Sequence, residues 1–139
     1  MTITQSVIEW LIGFDGGIEV DEGVSTDQLA ANAEAYGIFR TPGDIVTEFV
    51  HGGRDVTTYL NLIVRQPSQT ESMRRSNQAW MEQLEAWVRR QSMLRSLPSM
   101  DGGRECYAVA IANSFYMQEQ TETESVYQIT LSVHYTERR

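Results

Sequence analysis

Val56-Thr57-Thr58-Tyr59-Leu60-Asn61-Leu62-Ile63-Val64 is the stretch that decides the fold. Successive side chains of a strand point to opposite faces, so Val56, Thr58, Leu60, Leu62 and Val64 share one face and Thr57, Tyr59, Asn61 and Ile63 the other. A strand with one apolar face needs a partner layer on that face. Just upstream, His51-Gly52-Gly53-Arg54 carries the glycines of a tight hairpin. Before it, Ile45 to Val50 mixes β-branched residues with Phe49. Thr41-Pro42-Gly43-Asp44 has the Pro-Gly signature of a turn, closing a strand over Ala35 to Phe39. These three segments are expected to form an antiparallel meander, with Pro67 ending its last strand.

Helical periodicity flanks the meander. Thr2 with Gln5 has capping-box spacing, and Ile3, Val7, Ile8, Leu11 and Phe14 fall on one helix face before Gly13, Gly16 and Gly17 stop the element. Ser68 with Glu71 repeats the capping spacing ahead of a long helix from about Gln69 to Arg90 or slightly beyond, whose stripe is Met73, Trp80, Leu84, Trp87 and Val88, with Leu94 and Leu97 as candidates to extend it. Leu97-Pro98 and Asp101-Gly102-Gly103 terminate that segment. The acidic stretch from Ile18 to Asn32 is irregular. Within it, Ile18 and Val20 suggest a short strand, and Ser25 with Gln28 has the spacing to cap one helical turn.

Two long strands close the chain. Cys106 to Met117 places Tyr107, Val109, Ile111, Phe115 and Met117 on one face, and Cys106, Ala108, Ala110, Ala112 and Ser114 on the other. Val126 to Tyr135 places Tyr127, Ile129, Leu131, Val133 and Tyr135 together. The polar run Gln118 to Ser125 reads as the hairpin loop between them. The expected fold is therefore α+β, one domain over residues 1–139: a single antiparallel-rich sheet in the order α-β-β-β-α-β-β, with the helices packed on one face.

The composition bounds function. A chain of 139 residues can bury a real core. Its formal net charge is −8, which opposes sequence-independent binding to nucleic acid. The charge is uneven: residues 1–55 hold ten carboxylates and two arginines, and residues 56–104 hold four carboxylates and seven arginines. Every basic side chain is arginine, whose planar fork suits pairing with carboxylates at an interface. No apolar run approaches the roughly 18 residues of a membrane helix. The N-terminus lacks a secretory pattern, and a lone cysteine, Cys106, supports neither a disulfide scaffold nor a Cys-rich metal site. A cytoplasmic folding environment is expected. His51 and His134 lack the spacing of a helical metal site, and His51-Gly52-Gly53-Arg54 lies between strands, where a phosphate-binding loop would open a helix. The expectation is no catalytic residue, no metal and no cofactor.

The order of parts from Tyr36 to Tyr135 carries a resemblance. Tyr36-Gly37-Ile38-Phe39-Arg40-Thr41-Pro42-Gly43 is a strand and Pro turn, and Gly52-Gly53-Arg54 leads into Tyr59-Leu60-Asn61-Leu62-Ile63-Val64. The helix carries Met81-Glu82-Gln83-Leu84-Glu85-Ala86-Trp87-Val88 and is followed by Leu97-Pro98. Tyr127-Gln128-Ile129-Thr130-Leu131-Ser132-Val133-His134-Tyr135 closes the chain. This arrangement resembles the small prophage proteins that serve as minor capsid or tail-terminator (tail-completion) proteins of long-tailed phages. Residues 18 to 32 depart from the family's pattern.

The resemblance implies a structural protein of the virion tail, assembled in the host cytoplasm. Its copies would form a ring, commonly a hexamer, that caps the tail tube and meets the head connector. The expected partners are thus further copies of the chain, a tail-tube protein and a head connector protein, with no specific nucleic-acid binding and no membrane. Arg74, Arg75, Arg89 and Arg90 on the long helix are the expected subunit interface. Glu119, Glu122 and Glu124 are expected in a loop facing the ring opening or docking on the tube. The alternatives are another head–tail connector or a tail-tube subunit, and, from a different class, a small ligand-binding domain or enzyme with a deep pocket holding His51 or His134 beside a perturbed carboxylate.

Overall fold

A computed structural model describes residues 2–14, 21–22, 35–68 and 70–138. In chain order the elements are α1 (Ile3–Leu11), β1 (Asp21–Glu22), β2 (Ala35–Arg40), β3 (Ile45–Glu48), β4 (Arg54–Pro67), α2 (Glu71–Met93), β5 (Arg104–Gln120) and β6 (Glu124–Glu137). The sheet runs β1-β2-β4-β6-β5, with β3 also on β4. All pairings are antiparallel except that of β1 with β2. This is the expected α+β fold with one sheet, plus a two-residue strand, β1. Ile18, Val20, Ser25 and Gln28 lie outside the described residues.

The alternating stretch lies inside β4, which is longer than expected at fourteen residues. It pairs with β6 without a break, from Arg54 opposite Glu137 to Pro67 opposite Glu124. The register sets Val56 beside Tyr135, Leu60 beside Leu131, Leu62 beside Ile129 and Val64 beside Tyr127. All eight are at most 3% exposed. Both helices cover this face. Ile3, Val7 and Leu11 of α1 and Met81, Leu84, Trp87 and Val88 of α2 join the same core. The helices also meet each other through aromatic rings: Trp10 and Trp87 have centroids 4.8 Å apart, and Phe14 lies 5.5 Å from Trp80 and 5.7 Å from Trp87.

The meander is corrected. Arg40 pairs with Leu60 and Ile45 with Thr57, so β2 and β3 follow one another along the same side of β4. Thr41 to Asp44 bulges out without reversing the chain. The Thr41 N–H donates to the Tyr59 carbonyl at 3.0 Å, and Arg40 pairs with Asp44 across the bulge at 2.6 Å. The true reversal is the next turn, where Phe49 N–H donates to Gly53 O at 2.8 Å. A Cβ on Gly53 would lie 2.9 Å from the His51 ring, so a larger residue there would displace that ring from its place beside the turn.

The first helix starts as its sequence indicates, with Thr2 and Gln5 exchanging bonds of 2.8 and 3.1 Å. The second does not. Its cap is Thr70, whose hydroxyl accepts from Met73 N–H at 3.1 Å. Because β4 stays in the sheet to Pro67, Ser68 is held beside β6, accepting from the Ser125 hydroxyl at 2.8 Å. Met73 is exposed, while Met81, absent from the expected stripe, is fully buried. The helix ends slightly beyond Arg90, as expected, at Met93, and closes with paired bonds from Arg95 N–H to Ser92 O and Ser96 N–H to Gln91 O. Arg95 has φ +58°, a position where glycine is usual, at a cost of about 1 kcal/mol.

Strand β5 spends seventeen residues where its partner spends fewer, and its ladder shifts register four times. These bulges break the expected two-face alternation. Cys106 pairs with Tyr135 on the helix-covered face, while Tyr107 turns to the other face, where its hydroxyl donates to Asp55 at 2.8 Å. Side chains of α2 take two β5 amides: Phe115 N–H donates to the buried Glu85 carboxylate at 2.7 Å and Val109 N–H to the Ser92 hydroxyl at 3.3 Å. Trp87→Ala should lower stability by about 3–5 kcal/mol through the cavity it leaves. Thermal melting checks this, and an unchanged midpoint would mean that Trp87 is not part of the core.

Candidate functional site

The arginines of α2 do not form one basic surface. Arg74 and Arg75 lie near its start and Arg89 and Arg90 near its end, on the order of 20 Å apart along the axis. Three are engaged within the chain. Arg74 donates to the Ser68 carbonyl at 3.2 Å, Arg75 pairs with Glu71 at 3.0 Å, and Arg89 approaches the buried Glu85 at 3.4 Å. Arg90 forms no ion pair among the described residues and sits in the last turn, where a cation complements the helix dipole.

The expected loop of eight residues is corrected to three. Gln118 to Gln120 belong to β5 and Glu124 begins β6, leaving Thr121 to Thr123 as the turn. Thr121 closes it by donating its N–H to Glu124 O at 2.8 Å. The three glutamates therefore have different surroundings. Glu119 is exposed on an edge strand opposite Val126, and Glu122 is exposed at the turn. Glu124 pairs with Arg65, a β4 side chain only 9% exposed.

Neither histidine occupies an enzyme-like pocket. Both His134 ring nitrogens are taken by hydroxyls, Thr57 at 3.0 Å and Ser132 at 3.1 Å, on the sheet face opposite the helices. Tyr107 lies beside that ring, and its bond to Asp55 raises the phenol's pKa. His51 stacks on Phe49 at the rim of an open cleft of about 400 Å³. The carboxylate in that cleft, Glu137, is committed to Arg54. Burial pushes the Cys106 thiol up to about 11, the opposite of an activated nucleophile. Among the described residues no group of three or more potential ligands is placed to hold a metal ion, and no helix is long and apolar enough to cross a membrane.

The surfaces that sequence reasoning missed are the ends of the sheet. All four residues of β3 are exposed, and with the adjoining turn they present Ile45, Val46, Phe49 and Val50 to solvent. At the opposite end β5 exposes Tyr107, Tyr116 and Met117. No protein-family model matches the chain, and no curated protein matches it either. The reading of this surface therefore rests on the chain's own geometry. One signal was available in advance: Phe49-Val50 places two large apolar residues in the turn segment, one residue before the hairpin glycines.

Two outcomes follow from the geometry. Glu124→Gln should cost about 2 kcal/mol, because it leaves the largely buried Arg65 guanidinium without its carboxylate. Glu119→Gln and Glu122→Gln should leave the denaturation midpoint unchanged, and equal effects at all three positions would contradict this ranking. At pH 8, Cys106 should react with iodoacetamide on the order of a hundredfold more slowly in the native protein than in the denatured chain. Comparable rates would contradict its burial.

Proposed function

We propose that the chain is a structural phage protein, a tail terminator whose copies close into a homo-oligomeric ring. The ring, of about six subunits by the family resemblance, caps the tail tube and presents a surface to the head connector. The observation that carries this reading is that one sheet ends in two unlike edges, both with apolar side chains in solvent. At one edge stands β3 with Ile45 and Val46, and at the other β5 with Tyr107, Tyr116 and Met117. Unlike surfaces at opposite ends of a subunit support a head-to-tail contact, and such contacts generate a ring when the rotation closes.

Two further observations support the reading. The order of parts and the closing strand resemble the tail-terminator family. The charge of −8 suits a channel through which DNA slides without sticking, and Glu119 and Glu122 stand exposed at the β5–β6 end of the sheet. Ion pairs from α2 play a smaller part than the arginine count suggests, since exposed pairs contribute about 0.2–1 kcal/mol each. Apolar contact at the edges must supply most of the association.

Electron microscopy of the purified protein, alone and mixed with assembling tail-tube protein, tests the proposal. Discrete rings alone, and tubes stopped by a cap in the mixture, are expected. Long filaments of the chain by itself would instead identify a tube subunit, and monomers throughout would remove the assembly reading.

A further inference from the structure

We propose that the β3–β4 hairpin of one copy seats its Phe49–Val50 tip in the cleft formed by Leu97, Pro98, Met100 and Tyr107 of the next, with Glu48 meeting Arg95. This deepens the ring reading and rests on it by naming the contact that joins one subunit to its neighbour.

The geometry starts from one row of residues that crosses the sheet. Glu48 pairs with Arg54, Arg54 with Glu137, and Glu137 with Arg104. The hairpin tip and the segment leading into β5 therefore lie at the same end of the sheet, on opposite edges. Two strands separate them, so β3 and β5 stand about 14 Å apart in one chain. When copies line up edge to edge, the tip of one comes level with the 95–107 segment of its neighbour.

The two surfaces complement each other in shape and in chemistry. Val50 stands entirely exposed at the tip, and Phe49, 40% exposed, stacks on His51 at the rim of the hairpin's own open cleft. The receiving surface is a concavity of about 390 Å³, lined by Leu97, Pro98, Met100 and Tyr107 together with the charged Arg95, Arg104 and Glu105. Exposed Leu94 borders the same segment.

Charge fits as well. Neither Glu48 nor Arg95 forms an ion pair among the described residues; Arg54, which pairs with Glu48 across the ladder and feels its charge, makes its ion pair with Glu137. Arg95 also holds a left-handed backbone conformation at the end of α2, where glycine would be free of strain. A charged side chain kept at a strained position on the lip of a cleft marks that position as one where the side chain has a use.

Cysteine pairing tests the contact in a Cys106→Ala background. Val50→Cys and Met100→Cys chains, prepared separately, mixed and oxidised, should give a crosslinked pair, whereas neither variant should crosslink alone. The double variant should give a ladder ending at the closed ring. The two sites cannot join within one chain, because a disulfide needs Cα atoms within about 7 Å. Charge reversal gives a second readout. Glu48→Arg or Arg95→Glu alone should weaken association by about tenfold in sedimentation velocity, and the two together should restore it.

Crosslinking of Val50→Cys to itself, no crosslink in the mixture, or single reversals without effect would overturn this contact. If the wild type still oligomerises in that case, the ring reading stands. A wild type that stays monomeric and uncrosslinked overturns both.

Discussion

Everything in this structure hangs on the ladder between β4 and β6. It is fourteen residues long and unbroken, and one of its faces is apolar from the Val56–Tyr135 pair to the Val64–Tyr127 pair except at Thr58. Because the side-chain period of a strand is two, a slip of one residue would turn Leu60, Leu62, Ile129 and Leu131 toward the other face and bring Asn61 and Thr130 under the helices. Those last two meet in a hydrogen bond of 2.7 Å in the present register. The register is thus fixed from both sides, by burial on one and by polar pairing on the other. With it fixed, α1 and α2 have one place to bury their stripes, and their aromatic rings meet over it.

The same ladder leaves a problem at the margins. A sheet built around two long central strands must end somewhere, and an edge exposes unpaired backbone groups. The two margins are handled differently. On β5, bulges twist the strand and α2 reaches over it, with Glu85 and Ser92 accepting from its amides. On β3, the strand is kept to four residues and the chain turns away through a hairpin whose tip is apolar. One margin is partly covered by α2, and the other is bare and ends in an apolar hairpin tip. That asymmetry, not a catalytic constellation, is the most distinctive chemistry of the surface.

What the sequence disclosed tracks how local each signal is. The capping box of α1 is a contact between residues three apart, and it forms as read. The faces of β4 follow from strict alternation, and they hold. The errors arise where tertiary pairing decides. Thr41-Pro42-Gly43-Asp44 reads as a reversal, yet β4 keeps the chain on course past it, so the same residues make a bulge. Gln118-Glu119-Gln120 reads as loop because an exposed edge strand has no apolar face to betray it. Bulges in β5 reverse the parity of Tyr107 relative to Val109, and no periodicity reveals an inserted residue in advance. Of the site residues, the pairs Glu71–Arg75 and Glu85–Arg89 were legible as i,i+4 neighbours on a helix, a signal that already spoke against free arginines. The edges were not legible, since exposure of Ile45 and Val46 depends on which strands stop beside them.

Native-state hydrogen exchange at two protein concentrations measures the central claim most directly, because it reports each amide's opening free energy separately. The amides of Leu60, Leu62, Ile129 and Leu131 should exchange only through global unfolding at both concentrations. Those of β3, the hairpin tip and residues 112–120 of β5 should exchange through local opening in dilute solution, and the β3 and hairpin amides should slow markedly when the protein is concentrated. Ladder amides that exchange as fast as the edges, or β3 and hairpin amides whose protection does not change with concentration, would contradict the account.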